Sequence, residues 1–117
     1  MRLTKRKALI DGLVLWKCVL ANPHWGMDEK IDNVRKILGY VPRDYCPACH
    51  YAKSQTKTKN EMHCDYCPVV GWDAVTPCNS LGMEYDGWAS AKTEEGRVVW
   101  ADALVKRVER SLHVNVR

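Results

Sequence analysis

Phenylalanine is missing from this chain, so all ten aromatic side chains are Trp or Tyr, five of each. Every ring therefore carries a polar N–H or O–H, which excludes a purely apolar aromatic core. Missing too is any apolar run near the ~18 residues of a membrane-spanning helix. There is no long low-complexity tract and no internal repeat. A hydrophobic share of 46% with 27% charged residues excludes wholesale disorder and collagen-like character. Charge of a single sign is absent over most of the chain. Asp28–Asp44, Cys46–Cys78 and Asn79–Arg117 each balance their acids and bases, and the net +4 sits in Met1–Met27, where five bases face Asp11 alone. A uniformly basic surface that coats nucleic acid is thereby excluded.

The 117 residues fit a single domain, taken as 1–117. Its start, Met1 to Lys7 followed by Ala8 to Ala21, has the basic flank of a secretory signal. Asp11 and Lys17 interrupt the apolar stretch, which falls short of the ~7–15 residues an export signal needs. The expected compartment is the cytoplasm, where thiols stay reduced and a disulfide framework is disfavoured.

Helical periodicity marks both ends of the chain. With Thr4 as N-cap, residues 5–21 place Leu9, Leu13, Trp16 and Leu20 on one stripe, widened by Gly12 and Val19, and Asn22-Pro23 ends the run. Asp28 is the expected N-cap of a second helix over Glu29–Leu38, with Ile31, Val34 and Leu38 on one face and Gly39 as its stop. Val98, Ala101, Leu104, Val105, Val108 and Leu112 define a third helix, starting between Ser90 and Glu95 and ending near His113. The expectation is an α-rich small domain: about three helices, in 4–39 and 90–113, plus an irregular zinc-knuckle or zinc-ribbon-like insert over 40–89. An insert of that length needs something other than a hydrophobic core to order it.

Five of the six cysteines lie in that insert. Cys46-Pro-Ala-Cys49 and Cys64-Asp-Tyr-Cys67 are two Cys-x-x-Cys pairs with fourteen residues, His50 to His63, between them. Each pair turns two sulfurs toward one side of a tight loop, where both reach a metal at about 2.3 Å, so two pairs complete a tetrahedral thiolate site. Structural Zn²⁺ on Cys46, Cys49, Cys64 and Cys67 is the expected cofactor, with Cys78, His50 and His63 as substitute ligands. An iron–sulfur cluster uses the same residue types. Four thiolates fill the coordination sphere and make the ion a poor Lewis acid, so no catalytic residue is assigned and no enzyme is expected. Cys18, on the first helix, reads as an ordinary thiol.

Two surfaces suit a macromolecular partner. One is the aromatic group in the cysteine region, Tyr51, Tyr66 and Trp72, which equally serves to roof the knuckles. The other is Lys5, Arg6 and Lys7, whose charges oppose the dipole of the helix they open and so hint at an acidic partner. A nucleic-acid-binding module would use these bases with the Lys53–Lys59 stretch. The order Cys49-His50-Tyr51-Ala52-Lys53 resembles the Cys-His-x-x-Lys end of HNH-type metal-dependent nucleases, but their upstream histidine pair is lacking and only His24 precedes it.

The Trp-bearing first helix, Cys46-Pro-Ala-Cys49 with Tyr51, Cys64-Asp-Tyr-Cys67-Pro68, Cys78, Trp88 and the closing helix together resemble small cysteine-cluster accessory proteins of tailed bacteriophages. That resemblance implies a binding protein of the host-cell cytoplasm that engages a host protein, with inhibition of host transcription or defence as its effect.

If four thiolates hold Zn²⁺, their −4 and the metal's +2 bring the formal charge from +4 to about +2.

Overall fold

Thr4 opens the first helix, α1 (Lys5–Ala21), as expected: its hydroxyl accepts the backbone N–H of Lys7 at 3.1 Å. At the other end Asn22 turns the chain, its N–H donating to the Val19 carbonyl and its side-chain amide to that of Cys18. The computed structural model describes residues 2–57, 63–69, 78 and 83–115.

The second helix, α2, spans Met27–Leu38 and starts earlier than Asp28 as N-cap would allow. Gly26 is the N-cap, and Asp28 and Glu29 lie in the first turn, where carboxylates favour the helix dipole. Gly39 ends it in the left-handed conformation, φ 84°, which glycine adopts without a Cβ penalty.

Among its described residues the insert holds regular structure that was not expected. A 3₁₀ turn (Arg43–Tyr45) leads into α3 (Pro47–Gln55), a second 3₁₀ turn covers His63–Tyr66, and α4 spans Glu84–Ser90. With α5 (Glu94–Asn115), the described residues hold five α-helices rather than three. Pro47 stands in the first turn of α3, where its fixed φ suits a helix and its missing N–H is not needed. The first Cys-x-x-Cys is thus a helix N-terminus, not a free knuckle. The buried face of α3 is only Pro47, Ala48 and Ala52, too small to show as an apolar stripe.

Helix α1 lies against α5 and α3, α2 packs on α1, and α4 on α5. Leu9, Trp16, Val19, Ala48, Val69, Trp88, Ala101, Leu104, Val105 and Val108 form the core. Fully burying a side chain such as Leu9 or Leu104 contributes about 1.5–3 kcal/mol. On α1 the buried arc is broader than the expected stripe: Ala8, Asp11 and Leu15 are inside, while Leu13 and Leu20 are half-buried. On α5 the stripe starts at Ala101, because Val98 is 37% exposed and Trp100 is only half-buried.

Two polar clasps tie the helices. Asp11, buried on α1, accepts from Lys7 Nζ at 2.7 Å and from the Tyr40 hydroxyl at 2.6 Å, fastening the α2–α3 connection to α1. Arg107 of α5 grips the Glu84 carboxylate of α4 through Nε to Oε2, and through Nη2 to Oε1 at 3.1 Å. A further bond runs from Arg97 Nε to the Pro23 carbonyl at 2.6 Å, holding the start of α5 to the α1–α2 turn.

Candidate metal centre

Asp44 and Tyr45 hold φ at 56° and 55°, a left-handed region that disfavours residues with a Cβ. Hydrogen bonds from Tyr45 N–H to the Pro42 carbonyl and from Cys46 N–H to that of Arg43 close the turn. An ion pair of Lys53 with Asp44, 2.6 Å, clamps it to α3. This turn delivers Cys46 to the N-cap of α3 and places Cys49 one helical turn on.

Cys46, Cys49, Cys64, Cys67 and Cys78 line one small cavity with Ala48 and Ala52, with space of about 10 Å³, near that of one water-sized sphere. All five cysteines of the insert therefore meet at a single place, Cys78 among them. Cys18, on α1, is not among the residues that line this cavity.

The sulfurs interact. Cys49 hydrogen-bonds both Cys46 and Cys78, and sharing its proton with them pushes its own thiol far up. Cys46 is held below the usual thiol range by that bond, against the effect of burial, with the Lys30 ammonium adding to the pull. Cys78 is lowered for the same first reason. Burial pushes Cys67 up to about 12.

Lining a cavity and ligating an ion are different demands. At a Zn–S distance of about 2.3 Å, tetrahedral sulfurs stand about 3.8 Å from one another. Among the described residues no group of three or more His, Cys, Asp or Glu side chains is arranged to hold a metal ion. The donor set is that of a thiolate-bound ion, although the described side chains are not arranged to hold one.

The histidines take different places. His50, on α3, accepts the Arg43 backbone N–H on Nδ1 at 3.1 Å and sets its ring edge-on to Tyr40. With Nδ1 so engaged, the neutral ring carries its proton on Nε2 and offers no free nitrogen lone pair to a metal. His63 stands in the second 3₁₀ turn, with its side chain outside the described residues.

Of the expected partner surface, Tyr51 is half-buried on α3 and Tyr66 is 36% exposed beside Cys67, while Trp72 and Lys59 lie outside the described residues. Tyr45, next to Cys46 in the chain, is 40% exposed. At the N-terminus Arg6 is exposed and Lys5 half-buried, but Lys7 is committed to Asp11. Lys53 is likewise committed to Asp44, so the two basic stretches are less available to phosphates than their composition suggests.

One residue of the site was not anticipated. Lys30 of α2 is 1% exposed, and its Nζ lies 5.0 Å from the ring centre of Trp16, 5.5 Å from that of Tyr85 and 6.0 Å from that of Trp88. Burial lowers its pKa, while Cys46, Cys49 and Cys78 work in the opposite direction. The sequence signal for its position is its place four residues before Val34, on the buried face of α2. Compared with known proteins, the chain matches no family model, no curated protein and no solved structure.

Proposed function

We propose that this chain is a small, non-enzymatic binding protein whose cysteine centre holds a structural Zn²⁺ and whose adjoining surface engages a macromolecular partner. The observation that carries the metal reading is the gathering of five cysteines around one ion-sized cavity. Zinc suits it because thiolates are soft donors, and a protein of this size gains much of its folding energy from such an ion.

A protein partner is favoured over nucleic acid because Lys7 and Lys53 are already paired with Asp11 and Asp44. The exposed rings of Tyr45 and Tyr66 suit the hot spots of a protein interface. The resemblance to phage cysteine-cluster proteins makes that partner a host protein and the host cytoplasm its setting.

Metal content after purification in reducing buffer tests the first half. About one equivalent of zinc is expected, together with a sharp fall in melting temperature on adding a chelator. Less than half an equivalent of any metal, with no chelator effect, refutes it. For the second half, a lysate pull-down is repeated after nuclease treatment and with Tyr66→Ala. Retention of one protein that survives nuclease and is lost with Tyr66→Ala is expected, whereas a partner removed by nuclease shifts the reading to nucleic acid.

A further inference from the structure

Lysine is almost never fully buried unless its charge has a partner. Lys30 is buried to 1% exposure inside the helical core, yet among the described residues no carboxylate forms an ion pair with it. Its surroundings are of two kinds. One is a box of three rings, Trp16, Tyr85 and Trp88, whose faces attract a cation at 5.0 to 6.0 Å. The other is the cysteine region: Cys46, Cys67 and Cys78 pack against the core to which Trp16 and Trp88 belong, and Trp16 and Cys46 line one small cavity together.

The box is itself well ordered. Trp16 and Trp88 meet edge to face at 5.1 Å, Trp16 and Tyr85 at 6.0 Å, and the Tyr85 hydroxyl donates to Met27 Sδ at 3.6 Å. Rings alone return only a part of the free energy lost when an ammonium leaves water, since a cation–π contact is far weaker than the hydration it replaces. Thiols that keep their protons add little more, and a lone thiolate at Cys46 returns one charge at most. A metal held by four thiolates is different, because its net charge is near −2 and it lies in the same low-dielectric interior.

We propose that Lys30 is the built-in counter-ion of the cysteine centre, a positioning residue whose buried positive charge raises the centre's affinity for a thiolate-bound metal. This rests on the metal reading above. It adds that a residue from α2, outside the cysteine region, belongs to the centre, and that the aromatic box exists to hold its charge in place.

Co²⁺ added to the metal-free protein, followed by its sulfur-to-metal charge-transfer absorption, tests this with Lys30→Met, Lys30→Gln and Lys30→Arg. Outer groups of metal sites change affinity by about 10–100-fold, and a loss in that range is expected for Lys30→Met and Lys30→Gln. Lys30→Arg keeps the charge and is expected to stay closer to wild type than either. Without metal, Lys30→Met is expected to be as stable as wild type or more so, because an apolar chain suits the ring box better than a charge. A merely structural lysine would instead move both forms the same way.

Equal affinity of wild type, Lys30→Met and Lys30→Gln overturns the proposal. So does failure of all three variants to fold under saturating metal, the arginine included. If the wild-type protein itself gives no charge-transfer band, the metal reading fails first and takes this one with it, an outcome distinct from equal binding by all forms.

Discussion

The Trp100 ring lies directly over Gly87, so that a Cβ at Gly87 would stand 2.3 Å from Trp100 Cδ2 and Cε2. This glycine is what lets α4 approach α5, and no rotation of a flexible chain end relieves the clash, because the obstacle is a rigid ring. Gly87→Ala is therefore expected to destabilise the protein by about 1–3 kcal/mol, the usual range for overpacking, despite alanine's better helix propensity. Urea unfolding measures it. A stable Gly87→Ala protein would mean that α4 and α5 do not meet this closely.

Gly12 gives the opposite case. It lies inside α1, buried, and a Cβ built on it meets nothing within 4 Å. A small apolar cavity of about 10 Å³, lined by Leu9, Trp16 and Pro47 among others, adjoins it. Gly12→Ala is expected to stabilise the fold by about 0.5–1 kcal/mol, through reduced freedom of the unfolded chain and better helix propensity. A lower midpoint in the same urea titration would contradict the open space around this position.

These two glycines mark what was legible in the sequence. Thr4 as a cap, Gly39 as a stop and the Ala101–Val108 part of the expected Val98–Leu112 stripe follow from local rules, and the helices they mark appear near where those rules put them, apart from the earlier start of α2. Helix α3 was hidden because its inner face is alanine and proline, which carry almost no apolar periodicity. Lys30 and Asp11 were hidden for another reason. A charged residue on a helix reads as solvent-facing unless its partners are known, and theirs come from elsewhere in the chain: Tyr40 is 29 residues from Asp11, and Tyr85 and Trp88 lie beyond the cysteines. Spacing named the two Cys-x-x-Cys pairs and left Cys78 as a substitute ligand. Only the fold brings Cys78 to the same cavity as the two pairs.

Tyr40 and Asp11 form the clasp most open to a single-atom test. Burial, and then the bond to Asp11, raise the Tyr40 phenol well above its ordinary value, so the hydroxyl keeps its proton and donates at 2.6 Å. Tyr40→Phe removes the donor and leaves the buried carboxylate with Lys7. The expected loss is about 1–3 kcal/mol, the range for a hydrogen bond to a charged group whose acceptor stays buried. Double-mutant analysis with Asp11→Asn should show coupling, and strictly additive losses would dismiss the clasp.

The Glu84–Arg107 pair predicts a pH dependence. Burial pushes the Glu84 carboxyl up, but the Arg107 hydrogen bond and charge outweigh it, so its pKa in the folded protein lies below the ordinary carboxylate value. Between the two values the unfolded chain binds more protons than the folded one, so stability rises with pH there. The pair's contribution is complete above the unfolded value, about 4.3, and is lost as pH falls through the lower folded value. The side chains keep 15% and 16% of their surface exposed, so solvent screens the pair in part. Glu84→Gln is accordingly expected to lose about 1–3 kcal/mol at neutral pH, short of the figure for a fully enclosed ion pair. As pH falls through that lowered folded value its stability should converge on that of the wild type, because the wild-type carboxyl is then protonated in the folded protein too. Thermal melts of both proteins across the acid range check the sign, and a gap that widens toward low pH would show that Arg107 does not hold Glu84 ionised.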